Sequence, residues 1–252
     1  MKILGIIPAR YASSRFPGKP LVHIKGKSMV QRVYEQAKQV IDTVFIATDD
    51  LRIRNHILEI GANAIMTSNK HKSGTERCAE ALKIITQDQP EYYDIVVNIQ
   101  GDEPLISPEA IKQLINAFND NNVQIATLVN KLQYSDELNN KNTVKVILNK
   151  NNYAQYFSRA LIPFVQNEQI KQKITFYKHI GIYAYKPKIL LEITSLPQSN
   201  TEIAESLEQN RWIEYDYKIK AIITSYKSVS VDTPKDLEKV LLLLQQREKN
   251  NK

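Results

Sequence analysis

The sequence predicts an α/β fold, with helices flanking a doubly wound, mixed sheet, and three observations carry this. Short apolar runs alternate with amphipathic segments through the first hundred or so residues. The runs are continuous rather than alternating, as expected of strands buried on both faces of a sheet. Loops rich in Arg, Lys and Asp follow the strands, where open α/β sheets bind ligands. Repeated strand–helix alternation of this kind implies right-handed crossovers.

Residues 2–8 (Lys-Ile-Leu-Gly-Ile-Ile-Pro) form the first strand-like run. Residues 9–27 carry no period and hold Pro17, Gly18, Pro20 and Gly26. From Ser28, an N-cap residue type, Met29, Val30, Val33, Ala37, Val40 and Ile41 follow helical spacing. Thr43 to Thr48 is a second buried strand; Asp49 or Asp50 caps the next helix and Gly61 ends it. The alternation continues through a strand at Ala64 to Thr67, a helix near Glu76 to Ile85 and a strand at Ile95 to Ile99. Ser107-Pro108 opens a further helix.

After Gln124 the pattern turns strand-rich, at Gln124 to Val129, Val144 to Leu148, Tyr153 to Phe157 and His179 to Tyr185. Asn151-Asn152 marks a hairpin turn, so antiparallel strands are added or inserted here. Strand character returns at Lys218 to Thr224 and Ser228 to Val231. Thr233-Pro234 starts a C-terminal helix carrying Leu237, Val240, Leu241 and Leu244, and the tail from Arg247 is charged and expected to fray. The expected organisation is one domain over 1–252, with a β-rich part at approximately 124–190.

Composition removes several classes of function. At 252 residues, 42% hydrophobic, the chain is long enough to bury a large core without staples. Its one cysteine, Cys78, forms no intrachain disulfide, which fits a reducing compartment. No apolar run approaches 18 residues, which excludes a membrane span. The apolar stretch Ile3 to Pro8 is too short for a signal-peptide core, so a cytoplasmic chain is expected. A net charge of +7 invites a nucleic-acid partner. The lysines, however, are scattered among Asn, Gln and Ile with no aromatic-interleaved basic stripe, so no nucleic acid is expected.

The chemistry concentrates in three places. The loop after the first strand holds Arg10, Arg15 and Lys19, which can converge on a polyphosphate. It matches neither the P-loop nor the dinucleotide glycine pattern, which disfavours an ATPase of that type and a nicotinamide enzyme. The second place is Gln100-Gly101-Asp102-Glu103 after the strand at Ile95 to Ile99; a carboxylate beside polyphosphate suits Mg2+, while Gly101-Asp102 also fits a simple turn. The third is Asp232, between a strand-like segment and a helix, as a second metal carboxylate or a helix cap.

These segments carry a resemblance. Ile7-Pro8-Ala9-Arg10 with Ser14-Arg15 and Pro17-Gly18-Lys19-Pro20-Leu21 resembles the cytidylyltransferases that activate acidic sugars, a branch of the GT-A-like nucleotidyltransferases. Within that branch the similarity is greatest to those acting on 3-deoxy-manno-octulosonate (Kdo). His71-Lys72-Ser73-Gly74-Thr75-Glu76-Arg77, Val97 to Pro104, Tyr156-Phe157-Ser158-Arg159, His179 to Tyr183, Leu207-Glu208-Gln209 and Val231 to Pro234 follow in the family's order. Departures are Ala184 for a common Gly, Asn210 for an apolar residue and His23 for a common acid.

The resemblance implies a Rossmann-like, GT-A-like fold whose β-rich part serves dimerisation and sugar binding. It implies transfer of CMP from CTP to Kdo for lipopolysaccharide synthesis, with Mg2+, in a cytoplasmic homodimer. Alternative substrates are 8-amino-Kdo or a sialic-type acid. Arg10, Arg15 and Lys19 are then catalytic, and Pro8, Ala9, Ser13, Ser73 and Gln100 join them in binding nucleotide. Asp102 and Asp232 hold the metal. Arg77, Gln100, Arg159, His179, Tyr183, Glu208 and Gln209 read the sugar. Taken singly, His179 also fits a core histidine, Tyr183 a core tyrosine and Glu208 a solvated helix position.

Overall fold

The structure, a computed structural model, describes residues 1–12 and 15–250. The chain divides into two units, one of residues 1–111 with 228–252 and one of residues 112–227. The β-rich part expected at 124–190 falls within the second unit.

In the first unit, β1 (Ile3–Ala9) is followed by a short hairpin, β2 (His23–Ile24) and β3 (Lys27–Ser28), and by α1 (Met29–Lys38). Next come β4 (Thr43–Thr48), α2 (Leu51–Glu59), β5 (Asn63–Met66), α3 (Gly74–Thr86) and β6 (Ile95–Asn98). Strands β6, β1, β4 and β5 lie side by side in that order, all parallel. Consecutive residues such as Ile6 and Ile7, or Val96 and Val97, are fully buried, so both faces of this sheet are covered. Ser28 and Asp50 cap as the sequence marks them, and Ser73, not singled out as a cap, opens α3. Ser28 accepts from the Gln31 amide at 3.2 Å, Asp50 from Arg52 at 2.9 Å and Ser73 from Glu76 at 3.1 Å.

Helix α4 (Pro108–Asn116) leads into the second unit. There β7 (Ile125–Leu132), β8 (Lys145–Leu148), β9 (Ala154–Ser158) and β10 (Phe176–Tyr185) precede α5 (Pro187–Ser195), α6 (Asn200–Glu205), α7 (Glu208–Glu214) and β11 (Ile219–Ile223). Strand β7 runs parallel to β11 and antiparallel to β10, and β8 is antiparallel to both β10 and β9. The β8–β9 hairpin turns at the expected asparagines: Asn152 adopts φ 57, and the Asn149 carboxamide oxygen accepts from the Asn151 and Tyr153 amides. Helices α5 to α7 fill a stretch the strand pattern does not delimit, although Ser199 and Glu202 form a capping box, a signature visible in the sequence.

The chain then returns to the first unit. Ser228 to Val231 is not the expected strand. It makes one backbone bond to the loop after β6, from the Val231 amide to the Asp102 carbonyl at 2.9 Å, and a side-chain bond from Ser228 to Glu103 at 2.7 Å. Its β-branched residues suit extended chain, but no ladder forms. Helix α8 (Pro234–Asn250) runs past the point where fraying is expected to begin. Its apolar positions are those the spacing predicts: Val240 is fully buried with Ile24, Met29, Leu105 and Val231, and Leu237, Leu241 and Leu244 pack against them. No helix among the described residues is long and apolar enough to cross a membrane.

Candidate active site

The first unit contains a cavity of about 240 Å³. It is walled by Pro8, Ala9 and Arg10 at the end of β1, by Gln100, Gly101 and Asp102 after β6, and by residues 71–74 entering α3. All of these lie at the carboxyl ends of parallel strands, the position open α/β sheets use for ligands. The loops come very close: a Cβ on Gly101 would lie 2.9 Å from the Pro8 carbonyl oxygen, so only glycine fits there.

Lys19 sits where two acids meet. Its ammonium is 2.8 Å from Asp102 and 3.4 Å from Asp232, with only 12% of its side chain exposed, and Arg15 reaches Asp232 at 3.1 Å. Lys19 is placed by the turn that Gly18 opens at φ 72, Asp102 by the loop after β6, and Asp232 by the buried Val231 and Val240 on either side of it. Arg10, Arg15, Lys19, Lys72 and Arg77 line the cavity against the two aspartates, a formal surplus of three positive charges. Such a lining suits a multiply charged anion. Two carboxylates converging on one cationic point also form the sparse oxygen set that Mg2+ takes together with phosphate oxygens and water. Among the described residues no group of three or more His, Cys, Asp or Glu forms a fuller metal cage.

Arg77 lines the cavity but is 3% exposed, and its guanidinium is tied inward. It donates to Thr67 Oγ1 at 2.6 Å and to the Ser68 carbonyl at 3.3 Å, and lies 3.5 Å from Asp49. The segment 67–73 is pinned to α3 in a second way. Glu80 accepts from the Ser68 amide at 2.7 Å and pairs with His71 Nε2, while Glu76 accepts from the Lys72 amide at 2.8 Å. Burial pushes the Glu80 carboxyl up, but the bonds from His71 and Ser68 outweigh it and hold it below the ordinary range. His71, Lys72 and Gly74 were not among the residues the sequence singles out as ligands, though the motif opening α3 contains all three.

Thus Pro8, Ala9, Arg10, Arg15, Lys19, Ser73, Arg77, Gln100, Asp102 and Asp232 share one cavity. Ser13 lies outside the described residues. Arg159, His179, Tyr183, Glu208 and Gln209 belong to the second unit.

In that unit Arg159 donates to three carbonyls, those of Glu205 at 2.8 Å, Lys141 at 3.1 Å and Ser206 at 3.4 Å. It thereby caps the carbonyl end of α6, where a cation is favoured. The Glu205 carboxylate accepts from Ser158 Oγ at 2.6 Å and from the Arg159 amide at 2.9 Å. His179 is packed edge-on against Phe157 and beside Tyr183. Its Nε2 is 3.0 Å from Thr127 Oγ1, which donates to the Ile182 carbonyl at 2.8 Å, so the histidine is the donor in that contact. Burial lowers the His179 pKa to about 3 and keeps the ring neutral. Burial also raises the Tyr183 hydroxyl well above its ordinary value, and nearby Glu208 adds to the effect. Glu208 pairs with Arg211 at 2.9 Å, and Gln209 is buried on α7.

The sequence profile described as cytidylyltransferase matches residues 4–222. A 3-deoxy-manno-octulosonate cytidylyltransferase of Parabacteroides distasonis is 54% identical, over 98% of this chain and 100% of that protein. One of Bacteroides thetaiotaomicron is 50% identical over 94% and 96%. A solved CMP:2-keto-3-deoxy-manno-octonic acid synthetase complexed with CTP superposes with a TM-score of 0.90 at 41% identity, covering 98% of this chain and 100% of that one. A glucose-1-phosphate thymidylyltransferase of Bacillus anthracis, described as putative and 18% identical at a TM-score of 0.67, shares the fold alone. With its strand-end cavity, its basic loop and the paired aspartates on Lys19, the chain belongs to the cytidylyltransferase family, among the 3-deoxy-manno-octulosonate cytidylyltransferases.

Proposed function

We propose that the chain activates Kdo, transferring CMP from CTP to the anomeric hydroxyl and releasing pyrophosphate. The observation that carries this is the cavity in which Lys19 joins Asp102 and Asp232 amid a surplus of cations. In the reaction, the anomeric oxygen forms a bond to the α-phosphorus, the bond from that phosphorus to the bridging oxygen breaks with its electron pair leaving on pyrophosphate, and the hydroxyl proton passes to water. Charge builds on the departing pyrophosphate, so positioning and electrostatic stabilisation are the main demands on the protein.

Arg10 and Arg15 bring planar forks for phosphate oxygens, and Lys19 brings a point charge. With triphosphate bound, Lys19 would turn toward phosphate, and Asp102 and Asp232 would be the residues to hold Mg2+. That ion, when bound, neutralises phosphate charge and lowers the pKa of a coordinated hydroxyl. Pro8, Ala9, Ser13, Ser73 and Gln100 are proposed to contact the nucleotide, and Arg77 and Gln100 the sugar acid. Arg77, already oriented by Asp49, Thr67 and Ser68, loses little freedom on binding an anion. Roles for Arg159, His179, Tyr183, Glu208 and Gln209 in reading the sugar rest on the resemblance. So do a homodimeric assembly, a cytoplasmic location and a place in lipopolysaccharide synthesis.

The test is pyrophosphate release from CTP with Mg2+ and a panel of sugar acids. Release with Kdo above 8-amino-Kdo and sialic acid is expected. No release with Kdo, or a strong preference for another acid, overturns the reading.

A further inference from the structure

Arg10 and Arg15, between β1 and the turn at Lys19, lie in no helix or strand, and the contacts that hold this stretch are at its two ends, Tyr11 and Gly18. At its neck the Gly18 amide donates to the Tyr11 carbonyl at 2.9 Å. The Tyr11 ring fills the space beside Gly18, where an added Cβ would come within 3.1 Å of it. Over the same ring lies the Arg52 guanidinium, 3.3 Å from the centroid.

Arg52 is itself held from the other side. The Asp50 carboxylate accepts from Arg52 Nε at 2.9 Å and Nη2 at 2.6 Å while capping α2 through the Arg52 amide at 2.9 Å. The bond from the Arg52 side chain is the main reason the Asp50 carboxyl lies below its ordinary pKa. A rigid helix start thus holds a guanidinium flat against an aromatic ring, and the ring abuts the far end of the loop. Neither Tyr11 nor Arg52 lines the cavity. Arg10, next to Tyr11 in the chain, and Lys19, next to the Gly18 that the ring abuts, do.

We propose that Arg52 and Tyr11 form a clamp that preorganises the basic loop for the triphosphate of CTP. They are positioning residues, acting through Arg10 and Lys19, and the inference rests on the nucleotide role proposed above for that loop. A loop whose two ends are already held together loses less conformational freedom on binding, and that difference appears as affinity. The contact also explains why this segment carries an aromatic residue and why a side chain at position 18 is excluded, since Gly18 adopts φ 72 as well.

The experiment is calorimetric titration of CTP into the full-length protein, the Arg52→Ala, Tyr11→Ala and Tyr11→Phe variants, and the Arg52→Ala/Tyr11→Ala double variant. Arg52→Ala and Tyr11→Ala are expected to weaken CTP binding roughly three- to tenfold, the scale of a partly exposed cation–π contact. Tyr11→Phe, which keeps the ring, stays at wild type. The double variant is no weaker than Tyr11→Ala alone, because both changes remove one contact. The KM for Kdo holds within about twofold at saturating CTP, whereas a merely structural role would move it together with the thermal midpoint. Wild-type CTP affinity in Arg52→Ala and Tyr11→Ala, additive losses in the double variant, or a Tyr11→Phe as weak as Tyr11→Ala overturns the clamp. CTP affinity reads the clamp and pyrophosphate release with Kdo reads the activity, so the failure of one is distinguished from the failure of the other.

Discussion

The Val231 amide donates to the Asp102 carbonyl at 2.9 Å, fastening the entry of the last helix to the loop after β6. Through this bond Asp232, close to the C-terminus, comes within reach of the same lysine as Asp102. Burial of Val231 and Val240 anchors the arrangement, each fully buried apolar side chain being worth roughly 1.5–3 kcal/mol. The carboxylate pair is therefore assembled by packing, and its chemistry depends on a helix that does not itself line the cavity.

Lys19→Ala and Asp102→Asn should each lower kcat/KM by about a hundredfold or more, the scale seen when a charge-stabilising group is removed from a reacting centre. Neither side chain belongs to the apolar core, so the unfolding midpoint should change little. Steady-state pyrophosphate release beside thermal unfolding checks both halves. Activity within a few fold of wild type would remove these residues from the mechanism.

The metal assignment makes a separate prediction. Asp232→Asn removes one of two carboxylates offered to Mg2+ and frees Lys19 and Arg15 of a partner. The Mg2+ concentration for half-maximal activity should rise by about tenfold or more, the cost of losing one hydrogen-bonded charged ligand. Chelation by EDTA should abolish turnover and added Mg2+ restore it. An unchanged Mg2+ requirement in Asp232→Asn would place the ion elsewhere.

Much of this site was legible in the sequence because its parts follow strand ends. The apolar runs fix where β1 and β6 stop, and the cationic loop and Asp102 come directly after them. The turn pattern at Val231 to Pro234 places Asp232 ahead of a helix. Tertiary partners are what the sequence conceals. Arg77 is expected only as a sugar-reading residue, and nothing near it in sequence shows that Asp49, Thr67 and Ser68 hold its guanidinium. Lys145 reads as one more solvated lysine. It is instead fully buried, with Nζ donating to the carbonyls of Asn140, Thr143 and Arg159, and burial lowers its pKa. Two of those carbonyls are near neighbours in the chain, but the third, from Arg159, and the burial itself depend on the β8–β9 hairpin, which no local pattern around Lys145 encodes.

Asn210, a departure from the family's apolar residue, has a structural reason that a variant can test. Its carboxamide accepts from the Phe157 amide at 3.1 Å and donates to the Phe157 carbonyl at 2.9 Å, pairing with the β9 backbone as a neighbouring strand would. It is 1% exposed, so Asn210→Leu would leave both backbone groups buried and unpaired. A loss of roughly 2–4 kcal/mol in unfolding free energy is expected by denaturant titration. A stability equal to wild type would show that an apolar residue is accommodated there without these bonds.

His179 gives the chain a predictable acid sensitivity. Its folded pKa is lowered to about 3 by burial, whereas an unfolded histidine titrates near about 6.5. Between those values the unfolded chain takes up a proton that the folded chain refuses. Stability from this group is therefore full above about pH 6.5 and falls as pH drops toward about 3, by up to about 1.4 kcal/mol per unit. Carboxylates held below their ordinary range, such as Glu80 and Glu205, destabilise on protonation only near and below about pH 4.5, so pH 5 isolates the histidine. Urea unfolding at pH 7 and pH 5 should give a loss of about 2 kcal/mol assignable to His179. The loss should vanish in His179→Gln, which keeps a donor for Thr127 but cannot titrate. Equal losses in the two proteins would mean that His179 is protonated in the folded chain.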